Sequence, residues 1–263
     1  MYAFNFVKPA TVADAVAALA VEDAQALGGG QTLIPTLKAR LASPAVLVSL
    51  NGIAEIKGVA MNGAGELAIG GGATHAAIVR GAAAHYPALA HMASIIGDPA
   101  VRNLGTMGGS LANNDPSACY PAAALASGAT IVTNAREIAA GDYFQGMFTT
   151  ALEPGEVITK IRFPIPQAAN YQKFVQPASR FPLVGVFVAK YADGVRVAIT
   201  GASESGVFRW TEAETALSAS FAPDALKGLA ADADGLIGDL HGTPAYRAHL
   251  IGVMTARAVA AAA

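Results

Sequence analysis

Two glycine-dense segments hold the residues best suited to ligand chemistry. The first reads Leu27-Gly28-Gly29-Gly30-Gln31-Thr32-Leu33, and the second Leu104-Gly105-Thr106-Met107-Gly108-Gly109-Ser110. Each sets bare backbone beside hydroxyl and amide groups, which is what close approach to a phosphate requires. A single such segment reads as a tight structural corner, because glycine marks plain turns so often. Two in one chain, each followed by a helix start, point to a cofactor gripped from both sides.

The second segment is the more telling. Its glycines are bracketed by Thr106 and Ser110 and followed by Asn113, Asn114 and Asp115. Backbone N–H groups, hydroxyls and amides can hold a diphosphate without a cluster of cationic side chains. Asn113 or Asp115 could accept from ribose or ribityl hydroxyls, although Asp115 equally suits capping of the next helix.

Competing chemistries fail on residue type. A dinucleotide fingerprint G-x-G-x-x-G needs glycine where Leu33 stands, and the ribose-binding acid expected about 20 residues on is absent from Ser49 to Gly52. No Gly-Lys-Ser or Gly-Lys-Thr occurs, so there is no P-loop. His75, His85, His91, His241 and His249 lack metal-ligand spacing. Gly201-Ala202-Ser203-Glu204-Ser205 misses the last glycine of a nucleophile elbow. Arg102 and Asn103, beside the second segment, could neutralise phosphate or join a loop salt bridge.

Composition bounds the rest. Net charge is −2, from 17 basic and 19 acidic residues, without the basic footprint of a nucleic-acid binder. The 263 residues, 53% hydrophobic, supply ample core for one or two domains. The single cysteine, Cys119, excludes an intrachain disulfide and cannot alone hold an iron–sulfur cluster or structural zinc. That fits a reducing compartment. No secretion signal opens the chain. The longest uncharged run, Pro116 to Ala135, is broken by Pro121 and Gly128 and reads as a helix passing into a strand. The expectation is a soluble, cytoplasmic protein with no integral membrane segment.

Hydrophobic periodicity supplies the elements that must position these residues. Phe4–Phe6 is a short strand, and Thr11 with Asp14 caps a helix from Val12 to Leu19. Ala24–Leu27 is a strand running into the first glycines, Thr32 caps a helix over Leu33–Leu41, and Val46–Leu50 is a buried strand. A second lobe has a strand at Leu67–Gly70, the turn Gly71-Gly72-Ala73-Thr74 and a helix from Thr74. Further helices are expected over Pro87–Ile96 and Tyr120–Ser127, with strands over Thr130–Thr133 and Val157–Phe163. Pro164 and Pro166 mark a boundary. Beyond it come strands at Tyr171–Val175, Leu183–Tyr191 and Val195–Ala202, with an Asp193-Gly194 hairpin turn. Thr211 and Glu214 form a second capping box, two further helices follow, and the alanine-rich tail after Arg257 is expected to fray.

Four stretches in order carry a family resemblance: Gly28-Gly29-Gly30-Gln31-Thr32-Leu33-Ile34-Pro35, Gly97-Asp98-Pro99-Ala100-Val101-Arg102-Asn103, Thr106-Met107-Gly108-Gly109-Ser110, and Asp239-Leu240-His241-Gly242-Thr243-Pro244-Ala245-Tyr246-Arg247. Together they resemble the FAD-binding medium subunit of molybdenum hydroxylases, the family of the aerobic carbon monoxide dehydrogenase medium subunit and the xanthine dehydrogenase FAD domain. The resemblance implies an α+β fold: a two-lobed FAD-binding domain of the vanillyl-alcohol-oxidase (PCMH) type with subdomains 1–57 and 58–167. It also implies a C-terminal α/β sandwich over 168–263, resembling the CO dehydrogenase flavoprotein domain, with a three-stranded antiparallel sheet.

By that resemblance, Leu27 to Leu33 and Thr106 to Ser110 would grip the diphosphate and ribityl chain of non-covalent FAD, with Ala73, Thr74 and Leu104 in the same set. Ile96 falls where the family packs a side chain near the isoalloxazine. Phe181 aligns with a tyrosine that covers the ring, or is ordinary core at the head of a strand. Cys119 stands where members often place an aspartate. If that carboxylate normally contacts FAD, the bond is missing or comes from Asp115 or Asn113, and the thiol itself reads as small and buried rather than redox-active.

No catalytic residue or metal ligand is expected in this chain. The resemblance implies substrate oxidation at a molybdopterin cofactor in a large partner subunit. Electrons would pass through two [2Fe-2S] clusters in a small partner to this chain's FAD, and on to quinone, oxygen or NAD. The expected assembly is a dimer of heterotrimers. The alternatives are a structural subunit that has lost FAD and a stand-alone FAD-dependent oxidase.

Overall fold

A computed structural model describes residues 1–262. Three sheets follow one another along the chain, each with its own apolar core. The first is parallel, in the order β1-β3-β2, from β1 (Asn5–Val7), β2 (Ala24–Leu27) and β3 (Val46–Ser49), with crossovers α1 (Val12–Leu19) and α2 (Leu33–Lys38). Thr11 caps α1 by accepting from the Asp14 N–H. β3 is buried along its whole length, as the central strand of a covered parallel sheet must be.

The second sheet is antiparallel, in the order β4-β5-β8-β6-β7. Its strands are β4 (Val59–Met61), β5 (Leu67–Gly70), β6 (Thr130–Thr133), β7 (Glu137–Ala139) and β8 (Ile158–Phe163). Between β5 and β6 lie α3 (His75–Ala82), α4 (Pro87–Ser94), α5 (Pro99–Leu104), α6 (Met107–Asn113) and α7 (Tyr120–Ser127), with the short α8 (Ala140–Tyr143) after β7. The second glycine segment is therefore no free turn. It forms the end of α5 and the first turn of α6, whose cap is Thr106.

The third sheet has four strands rather than three: β9 (Ala168–Val175), β10 (Pro182–Tyr191), β11 (Gly194–Thr200) and the two-residue β12 (Phe208–Arg209). It is packed by α9 (Thr211–Ala219) and α10 (Pro244–Ala262). Strand β10 is buried on both faces. Val184, Val186 and Val188 join the C-terminal core, while Phe187 and Ala189 point into the core of the second sheet, so period-two alternation welds the two units together.

Three expectations about this region are corrected. Trp210, not Thr211, occupies the cap position of α9, and Glu214 is taken by the Val197 N–H and the Arg209 guanidinium instead of closing a capping box. Of the two further helices, one is a single 3₁₀ turn at Pro223–Leu226 and the other is α10. The alanine-rich tail is not frayed: α10 runs to Ala262, with Ala258 and Val259 fully buried.

Candidate cofactor site

Strand β2 delivers the first glycine loop. From Gly28 to Leu33, six successive backbone N–H groups find no acceptor among the described residues, and all six residues line one cavity. Gly28 to Gly30 and Leu33 are half-buried and Gln31 and Thr32 exposed, so a run of unpaired donors at the cavity wall offers a place for acceptor oxygens. Gly30 carries the one left-handed backbone in the run, φ 71°, and its carbonyl accepts from Ile34 to start α2. Thr32 makes no side-chain cap bond, which leaves its hydroxyl uncommitted.

The two glycine segments meet. A Cβ on Gly29 would stand 2.6 Å from Gly105 Cα and closer still to the Leu104 carbonyl oxygen. A Cβ on Gly28 would stand 3.0 Å from Thr106 Oγ1. Only glycine permits that approach of backbone to backbone.

Their contributions differ. Most amides of the second segment are already used. Met107 N–H donates to Ala73 O, Gly108 N–H to Gly71 O, and Gly109 N–H to Thr106 Oγ1. Gly108 is small because a Cβ there would lie 2.6 Å from Gly71 O. This segment therefore brings the side chains of Ser110, Asn113 and Asp115 to the wall rather than a bare amide cradle. Asp115 does local work at the same time, accepting from the Ser117 N–H at 2.8 Å. Asn114, buried and left-handed at φ 42°, points away and donates to Gly146 O and Thr149 O.

The cavity encloses about 930 Å³, at the upper end of the range for small-molecule sites. Ile96, Val101, Cys119, Phe181 and Pro182 add apolar surface to the wall, with Lys173, Ser179 and Arg180 beside them. Phe181 stacks edge-to-face on His241, ring centroids 5.8 Å apart. Burial pushes the Cys119 thiol up from its ordinary range, more strongly than nearby Lys173 pulls it down, so it stays protonated. His75 is buried in the wall, with its Nδ1 3.1 Å from the Tyr120 hydroxyl. Burial, with Arg102 adding to it, lowers its pKa from 6.5 to about 4, so it is neutral at pH 7. Arg102 forms no ion pair among the described residues and does not line the cavity. Its guanidinium holds Ile96 O and Gly97 O, each at 3.0 Å.

Of the residues singled out in the sequence, Leu27 to Leu33, Ile96, Thr106, Gly108 to Ser110, Asn113, Asp115, Cys119 and Phe181 share this wall. Four do not. Met107 and Ala73 are buried in the core, Thr74 caps α3 by accepting from the Ala77 N–H, and the Leu104 side chain is exposed. Sequence reasoning left Gly71, Gly72, His75 and Lys173 out of the site. Gly71-Gly72 was visible as a turn, whereas His75 and Lys173 stand in no motif. Among the described residues, no group of three His, Cys, Asp or Glu could hold a metal ion, and no helix is long and apolar enough to cross a membrane.

A glycine loop with unpaired amides thus packs against a helix-borne second loop at the wall of one cavity. The family model for the FAD binding domain in molybdopterin dehydrogenase matches residues 2–166, and the chain belongs to that family. It is 34% identical to the carbon monoxide dehydrogenase medium chain of Afipia carboxidovorans, over 97% of this chain and 95% of that one. It is 32% identical to the nicotine 6-hydroxylase medium subunit of Paenarthrobacter nicotinovorans, over 98% and 96%. Among solved structures, it superposes on a chain of reconstituted CO dehydrogenase from Oligotropha carboxidovorans with TM-score 0.88 and 31% identity, covering 99% of this chain and 98% of that one. A chain of quinoline 2-oxidoreductase from Pseudomonas putida 86 matches with TM-score 0.88 and 28% identity, over 99% and 97%.

Proposed function

We propose that this chain is the FAD-carrying electron-transfer subunit of a molybdenum-dependent hydroxylase or dehydrogenase complex. The observation that carries the reading is the run of six acceptor-less amides from Gly28 to Leu33, set in a cleft of cofactor size within the family-matched residues. The residues present fit the group. The amides and the Thr32 hydroxyl would hold the diphosphate, since a run of unpaired N–H donors can bind an anion without a cationic side chain. Ser110, Asn113 and Asp115 would bond the sugar and ribityl hydroxyls. Ile96 and Phe181 would enclose the isoalloxazine and exclude water from it.

When bound, FAD supplies a carrier that takes up electrons and passes them to an external acceptor. The protein's work is binding, orientation and exclusion of solvent. With one cysteine, the chain cannot by itself supply the thiolate set of an iron–sulfur cluster. A large subunit with the molybdopterin cofactor and a small subunit with two [2Fe-2S] clusters would hold the other redox centres, in a dimer of heterotrimers located in the cytoplasm. The units 1–57, 58–167 and 168–263 are proposed as its two flavin subdomains and its C-terminal domain. The test is reconstitution: purified chain titrated with FAD gains a flavin spectrum, and acid denaturation releases that flavin unmodified. A chain that takes up no FAD overturns the reading.

A further inference from the structure

Two segments far apart in sequence bring Ile96 and Phe181 to the cavity wall. Ile96 lies on the loop after α4, and Phe181 ends the loop that joins β9 to β10. Lys173, on β9, reaches both. Its Nζ donates to Ile95 O at 2.7 Å and to Arg180 O at 2.9 Å, with Cys119 Sγ at 3.9 Å. The ammonium has three protons and finds three partners inside the protein, so it is committed to the walls rather than left for a ligand phosphate. Each carbonyl immediately precedes one of the two enclosing residues, Ile96 and Phe181. Arg102 extends the grip on one side by holding Ile96 O and Gly97 O, so two cations fix three successive carbonyls.

The other side needs holding. Ser179 and Arg180 both have left-handed backbone, φ 59° and 58°, which side-chain-bearing residues disfavour and which persists only where the surroundings impose it. A bond from Gln176 N–H to Phe181 O closes this loop on itself. The bond from Lys173 to Arg180 O ties it across to the opposite wall.

We infer that Lys173 is a positioning residue: a latch that bridges the two walls, sets the gap between Ile96 and Phe181, and so holds the ring end of the cavity closed. What fills the gap rests on the flavin reading above, whereas the latch itself does not. Methionine matches the length of lysine but donates nothing. Arginine keeps charge and donors.

The experiment therefore has two arms on the full chain. In the first, apoprotein is treated with trypsin and cleavage after Arg180 is followed by mass spectrometry. Lys173→Met is expected to speed that cut about tenfold while Lys173→Arg stays near wild type. In the second, FAD release from reconstituted protein is timed, and Lys173→Met is expected to release about tenfold faster, with an altered visible circular dichroism of the bound flavin. The thermal midpoint of the Lys173→Met apoprotein is expected to fall, because two carbonyls lose a charged donor, while cutting at the other tryptic sites keeps its wild-type rate. Wild-type rates of cutting and release in Lys173→Met overturn the latch. So does faster cutting at every site, which marks general destabilisation. If the wild-type chain takes up no FAD, the flavin reading fails by that result alone, and the proteolysis arm still decides the latch.

Discussion

Replacing Gly29 with alanine tests the loop-to-loop contact directly. The added Cβ would stand 2.6 Å from Gly105 Cα, where ordinary contact begins at 3.4 Å, so one loop must shift by about 0.8 Å or more. Both obstructing groups are backbone, and no side chain can swing aside. A bond between N–H and phosphate oxygen spans about 2.7–3.2 Å, so a displacement of that size breaks it. Bonds to charged groups are worth about 1.5–3 kcal/mol each. Losing one or two costs about 3 kcal/mol, on the order of a hundredfold in FAD dissociation constant. Isothermal titration of apoprotein with FAD measures this. Two companions isolate the cause. Gly28→Ala presses on the Thr106 hydroxyl at 3.0 Å, one side-chain atom that need give only a few tenths of an ångström, and should weaken binding by no more than about tenfold, while Gly63→Ala meets nothing within 4 Å and should change nothing. Wild-type affinity in Gly29→Ala would refute the reasoning.

Other perturbations probe the frame around the cleft. His75 has a folded pKa of about 4 against 6.5, so the unfolded chain binds the extra proton between those values. Its stabilising contribution is complete above pH 6.5 and falls away as pH drops towards 4, by up to about 3 kcal/mol. Urea unfolding at pH 7 and pH 4.5 should show this loss, and His75→Asn should flatten it. Asn114→Ala removes two amide bonds and leaves alanine at φ 42°, so stability should fall by about 3 kcal/mol and the melting temperature by on the order of 10 °C; Asn114→Gly, free of the backbone penalty, should lose less. Arg247 is buried, donates to Leu183 O and Gly201 O, and pairs with both Asp239 oxygens. Arg247→Met should destabilise the chain by about 3–5 kcal/mol in denaturant titration.

The first glycine loop was legible because its chemistry is local: an apolar strand, three glycines and a hydroxyl need no distant partner to leave amides free. The second was legible in its residues but not in its role. Whether the amides of Met107 and Gly108 are free depends on Ala73 and Gly71, which fold back from another turn to accept from them. The same reason hid the fate of Glu214, whose capping pattern with Thr211 gives way to Arg209 and the Val197 N–H across the sheet. Composition alone makes the alanine tail look loose, yet Ala258 and Val259 are buried in the C-terminal core. Lys173 belongs to no motif. Its position becomes meaningful only when folding brings Ile95 and Arg180 to one ammonium.

The central claim is that the amides of Gly28 to Leu33 face a flavin nucleotide's diphosphate. Amide chemical shifts of isotope-labelled apoprotein, recorded through an FAD titration, test it most directly. These six resonances should shift together and saturate at equimolar FAD, while those of Met107 and Gly108, bonded within the protein, move little. Flavin bound with the six amides unmoved would contradict it.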